Sequence, residues 1–344
     1  MSLEVQLLDI ADARKVDRFV LTHPKGTPFH ETRWLQLVRT TFGFETQTLV
    51  ARRGGEVAGV LPLAMVTAPI TGRRLVSVPF GVYGGILAGD DETVAVLDDA
   101  ACTLARRSGA RFVETRYLGP APTHHEAVAL YETYRRELPD DVDAVLTGIP
   151  RKRRAEVRKA RDRHGAELLA GRGHFEAFYE LYSENKRRLG SPLFRPSYFR
   201  CLLDLFGPRA LLHAVRIDGR IVCAVLSIGS RGVLYPYYSG AVAEADSLGA
   251  NNFMYAMLME EAVRRGDRVF DFGRSRSGSG PADFKRHMGF EATPLDYQFW
   301  FPRGGKPPEL TPSNPRTAVP RRILSSLPLW MARMVGPVIM RHVP

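Results

Sequence analysis

Two stretches of the chain arrange apolar runs and turn signals in the same way. Residues 48–63 and 211–228 each contain two apolar runs separated by a short polar turn. The turn includes Gly55 in the first stretch and Asp218-Gly219 in the second. Gly-Gly and Asp-Gly pairs tolerate the positive φ angles of tight turns, so both stretches predict β-hairpins.

Each hairpin is followed by a predicted helix and two further predicted strands. The two helices have the apolar spacing of a half-buried helix and end at Gly109 and Gly266. An acidic residue, Glu114 or Asp271, closes the next strand in both series, and tyrosines mark the last strands. The predicted helices cover residues 100–108 and 253–265, the acid-ending strands 111–114 and 268–271, and the last strands 131–134 and 295–301.

Residues 26–55 align with residues 190–219 at one constant offset without a gap, and the elements that follow keep the same order, which predicts an internal duplication. In each copy the order is helix, hairpin, strand, helix, strand, short helix and strand, as in an α/β fold whose helices flank a mixed sheet. We therefore expect domains at residues 1–147 and 148–301, then a Pro-rich linker over 302–320 and a tail to residue 344. The aligned residues are Gly26-Thr27-Pro28-Phe29 with Gly190-Ser191-Pro192-Leu193, Trp34 with Tyr198, Phe42-Gly43 with Phe206-Gly207, and Gly55 with Gly219.

Composition and charge narrow the class of protein. The chain has 344 residues, of which 44% are hydrophobic and 25% are charged, a balance typical of folded rather than disordered proteins. Its formal net charge is +11, which favours anionic partners such as anionic lipid, nucleotide sugars or tRNA. Solubility of an Arg-rich chain explains the same charge equally well.

The cysteine and histidine pattern predicts neither disulfides nor a metal site. The three cysteines, Cys102, Cys201 and Cys223, are widely spaced, and the adjacent pair His124-His125 has no third ligand nearby in sequence. The N-terminus lacks a basic and an apolar signal region, and the sequence contains no uninterrupted apolar run of about 18 residues. A cytoplasmic, non-spanning protein is expected.

Sequence motifs in both copies carry a family resemblance. In the second copy, residues 284–290 read Phe-Lys-Arg-His-Met-Gly-Phe, and they follow a Gly/Ser loop that begins at Arg274. With Phe-Asp-Phe-Gly-Arg-Ser over 270–275 and the stretch 249–255, this resembles the FemAB family of the GNAT superfamily, and within it the subgroup associated with PEP-CTERM/exosortase loci and exopolysaccharide synthesis. Residues 59–63 and 77–85 of the first copy support the same resemblance, which covers nearly the whole chain.

The resemblance implies a tandem duplicated GNAT-like fold and acyl transfer. The donor would be either aminoacyl-tRNA or acyl-CoA. The acceptor would be an amine or hydroxyl of a cell-envelope or exopolysaccharide precursor, and a lipid-linked precursor is one form it could take. Lys285 stands where GNAT enzymes commonly carry a tyrosine acid, and a lysine expected to stay protonated could stabilise an oxyanion there, with Asp271 as its catalytic neighbour. A surface lysine on a short helix is the other interpretation.

The resemblance also assigns binding residues. The GNAT pyrophosphate loop corresponds to residues 246–251, which makes Gly249 and Ala250 the candidate cofactor-binding positions, although Asp246 would repel pyrophosphate. This acid favours a FemAB-like donor over acetyl-CoA. Arg274 can clamp a phosphate or carboxylate with its forked guanidinium, and strand alternation makes one of Tyr237 and Tyr238 a core residue. The candidate substrate-binding residues are Arg274, Tyr237, Tyr238, Tyr83, Asn185, Arg188 and Asn251.

Two basic segments suggest macromolecular partners. Residues 151–163 predict a basic helix that could bind tRNA phosphates or could simply be a solvated connecting helix. The alternative function is a basic nucleic-acid- or membrane-binding scaffold without catalysis. The tail after Pro320 mixes Trp330, Met331 and several arginines, which suits an interfacial helix on anionic lipid. A tail that caps a groove on its own protein is the competing interpretation.

Overall fold

A computed structural model describes residues 2–69, 72–129, 131–307 and 315–343, without the side chains of 315–320. The strands are β1 Leu3–Leu7, β2 Glu45–Arg53, β3 Glu56–Ala68, β4 Gly72–Val76, β5 Leu87–Ala88, β6 Val113–Leu118, β7 Glu126–Val128, β8 Tyr131–Glu137, β9 Glu167–Ala170, β10 Ala210–Ile217, β11 Arg220–Ser230, β12 Val233–Ala241, β13 Val269–Arg276 and β14 Ala292–Trp300. The helices are α1 Ala13–Thr22, α2 Thr32–Phe42, α3 Asp91–Ser108, α4 Val142–Thr147, α5 Arg151–Arg158, α6 Phe175–Arg188, α7 Pro196–Phe206, α8 Ala250–Arg264, α9 Gly280–His287, α10 Pro315–Ser326 and α11 Leu329–Met340.

The chain forms two compact units, each with its own mixed sheet. Unit 1 comprises residues 1–130, 294–310 and 338–344, and unit 2 comprises residues 131–293 and 311–337. In unit 1 the strand order is β1-β2-β3-β4-β6-β14, with β5 on β3 and β7 on β14. In unit 2 the order is β8-β13-β12-β11-β10-β9. Helices and mixed sheets alternate as expected, so the predicted α/β fold class is confirmed.

The local structure of the two units repeats as the sequence predicts. The β2–β3 turn contains Gly55 at φ 86°, and the β10–β11 turn contains Gly219 at φ 74°. Both hairpins also carry a register shift at the same position of the repeat, after Ala51 in one and after Val215 in the other. Helices α2 and α7 begin and end at aligned residues. The two predicted hairpins are therefore confirmed.

Each sheet contains a parallel strand pair that opens soon after it forms. In unit 2, β12 and β13 pair only at Val233 with Val269 and at Leu234 with Phe270, after which the strands separate. In unit 1, β4 and β6 pair only at Leu75 with Val113 and at Val76 with Glu114. Diverging parallel strands leave a gap at their carboxyl ends, and the gap between β12 and β13 frames the candidate site.

Apolar residues from the sheets and the long helices form the cores. Helix α3 packs on β2 and β3 in unit 1, where Leu61 and Leu97 are fully buried. Helix α8 packs below β10–β13 in unit 2, where Met254 and Phe270 are fully buried. Burial of each such side chain contributes about 1.5–3 kcal/mol to folding, so these helices are held by their apolar faces.

The last strand of each sequence copy groups with the opposite unit. Strand β8 pairs with β13 in unit 2, and β14 pairs with β6 in unit 1. Neither unit is therefore continuous in sequence, unlike the domains expected at 1–147 and 148–301. Such an exchange cannot be read from local signals, because a strand's sequence does not encode its neighbour.

The tail is helical, and its residues 315–337 belong to unit 2. Residues 308–314 of the expected linker lie outside the described part of the chain, and α10 begins at Pro315, inside that linker. Arg187 donates from Nη1 to the Ser325 carbonyl at 3.1 Å, Arg333 pairs with Glu180, and Leu324 is buried. None of the described helices is long and apolar enough to span a membrane.

Candidate functional site

A cavity of about 690 Å³ occupies the gap between β12 and β13 of unit 2. We call it the unit 2 cavity. Residues from the diverging strands form its walls, and the end of α6, the start of α8 and helix α9 complete it. Its lining includes Tyr131, Asn185, Lys186, Arg188, Ser191, Tyr237, Ser239, Asp246, Asn251, Tyr255, Phe272, Arg274, Ser275, Arg276, Ser279, Phe284 and Lys285.

The charges that line the unit 2 cavity are mostly positive. Five cationic residues, Lys186, Arg188, Arg274, Arg276 and Lys285, face one acid, Asp246. The guanidinium of Arg274 lies 4.7 Å from the centre of the Tyr131 ring. Burial and the nearby charge of Arg274 lower the pKa of Lys186. Cations that destabilise one another in a cleft favour an anionic ligand, because its charge relieves their repulsion.

Lys285 lies at the floor of the unit 2 cavity and is 8% exposed. Its Nζ donates to the carbonyl oxygens of Phe272 at 2.8 Å, Gly273 at 3.0 Å and Arg274 at 3.3 Å. These carbonyls converge because β13 bulges between Asp271 and Arg274, where Gly273 has φ 63°. The three N–H groups of the ammonium thus hold the bulge together.

Burial also changes the charge state of Lys285. Its pKa falls from the ordinary lysine value to about 7, mainly through burial, and the negative charge of Asp271 opposes the fall. The sequence could not show that the amine is buried, and full protonation of Lys285 at neutral pH stays a prediction. A group with a pKa near 7 can both give and take a proton under physiological conditions.

Asp271 also stabilises the bulge of β13, through a hydrogen bond from the backbone of the bulge. Its side chain is fully buried, and Oδ1 accepts a hydrogen bond from the Gly273 backbone N–H at 2.7 Å. Oδ2 lies 3.1 Å from Nε of Arg135. Asp271 is not among the cavity-lining residues, so its position suits orientation of the bulge rather than contact with a ligand.

Two polar groups in the lining have no hydrogen-bond partner among the described residues. Oγ of Ser275 and Nη2 of Arg276 are both buried, and both residues line the unit 2 cavity. Unpartnered buried polar groups are costly, and a ligand that bonds to them removes that cost. Sequence reasoning selected Asp271 and Arg274 on this strand but missed Ser275 and Arg276.

Further hydroxyl groups complete the lining. Tyr255 lies one helical turn after Asn251 on α8, and its hydroxyl donates to Oγ of Ser239 at 3.3 Å. Burial raises the pKa of Tyr255 to about 12, so the hydroxyl stays protonated. The helical spacing from Asn251 was the signal that could have identified it from sequence.

The structure separates the two candidate tyrosines of β12. Tyr237 lines the unit 2 cavity, whereas Tyr238 is buried and its hydroxyl lies 2.7 Å from that of Tyr198. Tyr238 packs against Phe199 with ring centres 5.1 Å apart. Strand alternation thus places Tyr237 at the site and Tyr238 in the aromatic core.

The remaining substrate-binding candidates fall in two places. Asn185 and Arg188 line the unit 2 cavity, and Nη2 of Arg188 donates to the Ala241 carbonyl at 2.9 Å. Tyr83 lies in unit 1 instead, where it is 1% exposed and lines a smaller cavity of about 220 Å³. The structure therefore does not bring Tyr83 into the unit 2 cavity.

The loop that corresponds to the GNAT pyrophosphate site is covered on one side and carries an acid. A Cβ on Gly249 would lie 2.4 Å from the Glu156 carbonyl oxygen, so helix α5 covers this backbone. Ala250 is fully buried in the core, and Asn251 donates from Nδ2 to Asp246 at 2.8 Å. The covered glycine and the Asp246 carboxylate disfavour pyrophosphate at this loop, although a cavity of about 460 Å³ beside it is lined by Arg153 and Lys159 as well as by Asp246.

Comparisons with known proteins agree with this architecture. Residues 151–286 match the family described as an acetyltransferase (GNAT) domain. FemX is 17% identical, with a TM-score of 0.69 over 85% of this chain and 96% of that chain. A tandem GNAT protein from the clavulanic acid biosynthesis pathway is 14% identical, with a TM-score of 0.56 over 89% of this chain and 100% of that chain.

A third solved structure is the C-terminal domain (DUF2156) of a putative lysylphosphatidylglycerol synthetase from Agrobacterium fabrum. It is 15% identical, with a TM-score of 0.55 over 83% of this chain and 90% of that chain. No curated protein sequence matches the chain significantly. The predicted tandem GNAT fold is confirmed: residues 151–286 match a GNAT domain, and the chain has the fold of FemX and of a tandem GNAT protein.

Proposed function

We propose that the chain is an acyltransferase whose reaction takes place in the unit 2 cavity. The observation that carries this proposal is the cation-lined cavity at the point where β12 and β13 separate, within the region that matches a GNAT domain. Diverging strands of this kind admit an acyl group between them, and the cations can hold the anionic part of a donor or acceptor.

The transfer joins an acyl carbonyl carbon to an acceptor nitrogen or oxygen. The acceptor attacks the carbonyl, an oxyanion forms, and the bond to the donor's oxygen or sulfur breaks while that atom takes up a proton. Protonated Lys285 can supply this proton and regain one from the attacking group, because its pKa lies near 7. To reach the substrate, Nζ must release one carbonyl, and the contact with Arg274, at 3.3 Å, is the longest of the three.

Aminoacyl-tRNA is the donor that fits the chain better than acyl-CoA. The covered loop at Gly249 and the acid at Asp246 disfavour the pyrophosphate of coenzyme A. Helix α5, which covers this loop, begins with the exposed residues Arg151 and Lys152. Exposed cations on α5 together with a cationic cavity suit a long polyanion such as tRNA, whose phosphates extend beyond the cavity.

The acceptor we propose is a precursor of the cell envelope or of an exopolysaccharide. The structural similarity to FemX and to a putative lysylphosphatidylglycerol synthetase supports a cell-envelope or lipid-linked acceptor. The sequence resemblance to the PEP-CTERM-associated subgroup favours a polysaccharide precursor. The basic side chains that line the unit 2 cavity are compatible with the phosphate that lipid-linked precursors carry.

A transfer assay tests this proposal. The protein is incubated with labelled aminoacyl-tRNA or labelled acyl-CoA together with a bacterial fraction of lipid-linked precursors, and mass spectrometry detects the acylated product. We expect transfer from aminoacyl-tRNA, and an Arg276→Ala variant should lose about tenfold or more because one charge-assisted hydrogen bond is removed. Arg264→Ala on the outer side of α8 is the matched control. Absence of transfer from either donor contradicts the proposal.

The C-terminal helices add a proposed membrane contact. Trp330 and Met334 of α11 and Ile323 of α10 are 64%, 66% and 56% exposed, while Leu324 and Ala332 turn inward. Arg321 and Arg322 are exposed beside them. The tail therefore packs on unit 2 with one face and presents apolar side chains and cations with the other, a pattern suited to anionic lipid. It would bring the enzyme to a lipid-linked acceptor.

Sedimentation with vesicles tests the membrane contact. Wild-type protein should sediment with vesicles that contain anionic phosphatidylglycerol and less with neutral phosphatidylcholine vesicles. Replacing Trp330 and Met334 by Ser should abolish sedimentation. Ile10→Ser is the control, since Ile10 is 83% exposed in unit 1 and outside this surface. Equal sedimentation of the wild type and the tail variant overturns the membrane contact but leaves the transfer proposal standing.

A nucleic-acid-binding scaffold without catalysis is the second candidate. The observation in its favour is α5, whose sequence Arg-Lys-Arg-Arg-Ala-Glu-Val-Arg contains a single acid. Such a protein would bind tRNA and duplex DNA with a steep salt dependence yet would transfer no acyl group. Salt-dependent binding of both nucleic acids together with a negative transfer assay favours this candidate.

A further inference from the structure

Three residues of unit 1 that can ligate metals come together in the fold. Asp98 and Cys102 lie one turn apart on α3, and His125 lies in the segment just before β7. Nε2 of His125 is 2.9 and 2.8 Å from the two carboxylate oxygens of Asp98. One ligand atom of each residue, including Sγ of Cys102, lies within 4.8 Å of the other two. The spacing of these residues in the sequence does not predict the group, because His125 lies in a different segment from α3.

The fold holds the segment that carries His125 in place. The backbone N–H of His125 donates to Oε1 of Gln298 on β14 at 3.4 Å, and Nε2 of Gln298 donates to the Thr123 carbonyl at 2.8 Å. Cys102 is buried below, whereas the side chains of Asp98 and His125 are 25% and 20% exposed. The sulfur therefore lies at the floor of a shallow site that stays open to solvent at its rim.

We propose that Asp98, Cys102 and His125 form a binding site for a transition metal of the Zn²⁺ type. A thiolate, an imidazole and a carboxylate are the ligands that Zn²⁺ takes, whereas Mg²⁺ and Ca²⁺ prefer oxygen alone. In a tetrahedral zinc site neighbouring ligand atoms lie about 3.3–3.7 Å apart. The observed ligand atoms lie within 4.8 Å of one another, and Nε2 of His125 is 2.8 Å from Asp98. Small side-chain rotations that separate this pair and bring Cys102 closer would accommodate the ion and leave a fourth position for water.

A metal ion at this site must replace the proton of the Cys102 thiol. Burial, and then the charge of Asp98, raise the pKa of the Cys102 thiol to about 12, with Asp99 acting in the same direction and Arg106 against it. The metal binds the thiolate, so it must displace the thiol proton, and each bound ion releases one proton to solvent. The competing interpretation is a simple ion pair of His125 with Asp98 above a buried thiol.

Cobalt titration of the full chain tests the site. Protein treated with a chelator is titrated with Co²⁺, which reports a thiolate ligand by a sulfur-to-metal charge-transfer band in the near ultraviolet. We expect this band to saturate at one ion per chain and to disappear when Zn²⁺ is added. Cys102→Ser should abolish the band, and Cys201→Ser, which changes a thiol outside the group, should keep it.

A second variant keeps the test decisive if Cys102→Ser disturbs the core. Asp98→Asn changes a partly exposed side chain, and it should weaken Co²⁺ binding by about tenfold or more while circular dichroism stays that of the wild type. Absence of the band in wild-type protein, or a band that persists in Cys102→Ser, overturns the metal site and leaves the ion-pair interpretation.

Discussion

Lys285→Met should change how the stability of the protein depends on pH. In the wild type the pKa of Lys285 is about 7 in the folded chain, against 10.5 as the ordinary lysine value. Methionine keeps much of the apolar side chain but cannot titrate. The free energies of unfolding of the two proteins should therefore differ. This difference should grow over the pH range in which Lys285 has lost its proton in the folded chain but keeps it in the unfolded chain.

The sign and size follow from linkage between protonation and folding. Between pH 7 and 10.5 the unfolded chain holds a proton on Lys285 that the folded chain has lost, so wild-type stability rises with pH over this window. From about pH 6 to about pH 9 the two pKa values give a gain of about 2–3 kcal/mol in the free energy of unfolding. Below pH 7 the folded state bears the full cost of burying the ammonium, which the three carbonyl oxygens only partly offset.

Urea unfolding of wild type and Lys285→Met at the two pH values measures this gain. The stability difference, wild type minus variant, should be larger by about 2–3 kcal/mol at about pH 9 than at about pH 6. Lys152→Met, which removes an exposed lysine of α5, is the control and should follow the wild type. A difference that is the same at both pH values would refute the depressed pKa and, with it, proton transfer by Lys285 at neutral pH.

Three further predictions concern activity, packing and acid sensitivity. With donor and acceptor supplied, Lys285→Met should lower kcat about a hundredfold or more, and turnover within about threefold of wild type would exclude a catalytic role. Gly240→Ala should cost about 1–3 kcal/mol in urea unfolding, because its Cβ would lie 2.3 Å from the Leu181 backbone, whereas Gly280→Ala has open space and should be neutral. Burial lowers the pKa of His30 to about 4, so wild type should lose about 2 kcal/mol between pH 7 and pH 5 as the unfolded chain takes up the proton. The free energy of unfolding of His30→Gln should fall less over that range. Parallel curves of stability against pH for the two proteins would contradict the lowered pKa of His30.

Local signals explain which parts of the fold could be predicted. Turn chemistry identified both hairpins, because the turns at Gly55 and Gly219 need positive φ angles. Helix-ending glycines located the ends of α3 and α8 within two residues. The constant offset of the repeat added long-range information, since matching elements in two copies support one another even where single motifs are weak.

The site was only partly predictable, because it depends on contacts between distant segments. Strand alternation predicts that only one of Tyr237 and Tyr238 faces the cavity. The structure shows that this residue is Tyr237. Burial of Lys285, which sets its pKa, arises from the bulge of β13 and from Tyr134 on β8, whose ring centre lies 5.4 Å from Nζ. A sequence shows neither the bulge nor the strand exchange that brings β8 beside it.

The gap between the parallel strands is occupied by the chain itself in unit 1 and is open in unit 2. In unit 1, residues 77–86 enter the gap between β4 and β6, and the backbone N–H groups of Gly84 and Gly85 donate to the Arg116 carbonyl. The Arg116 side chain is 2% exposed and is already bound to Glu114 and to the Gly81 carbonyl.

In unit 2 the corresponding gap stays open, and the buried groups of Ser275 and Arg276 have no partner among the described residues. Polar groups that are satisfied within the protein gain little from a ligand, whereas unsatisfied ones gain the full hydrogen bond. The duplication has therefore produced one copy whose gap is filled by its own chain, and one whose gap can bind a substrate. This difference is why we assign the chemistry to unit 2.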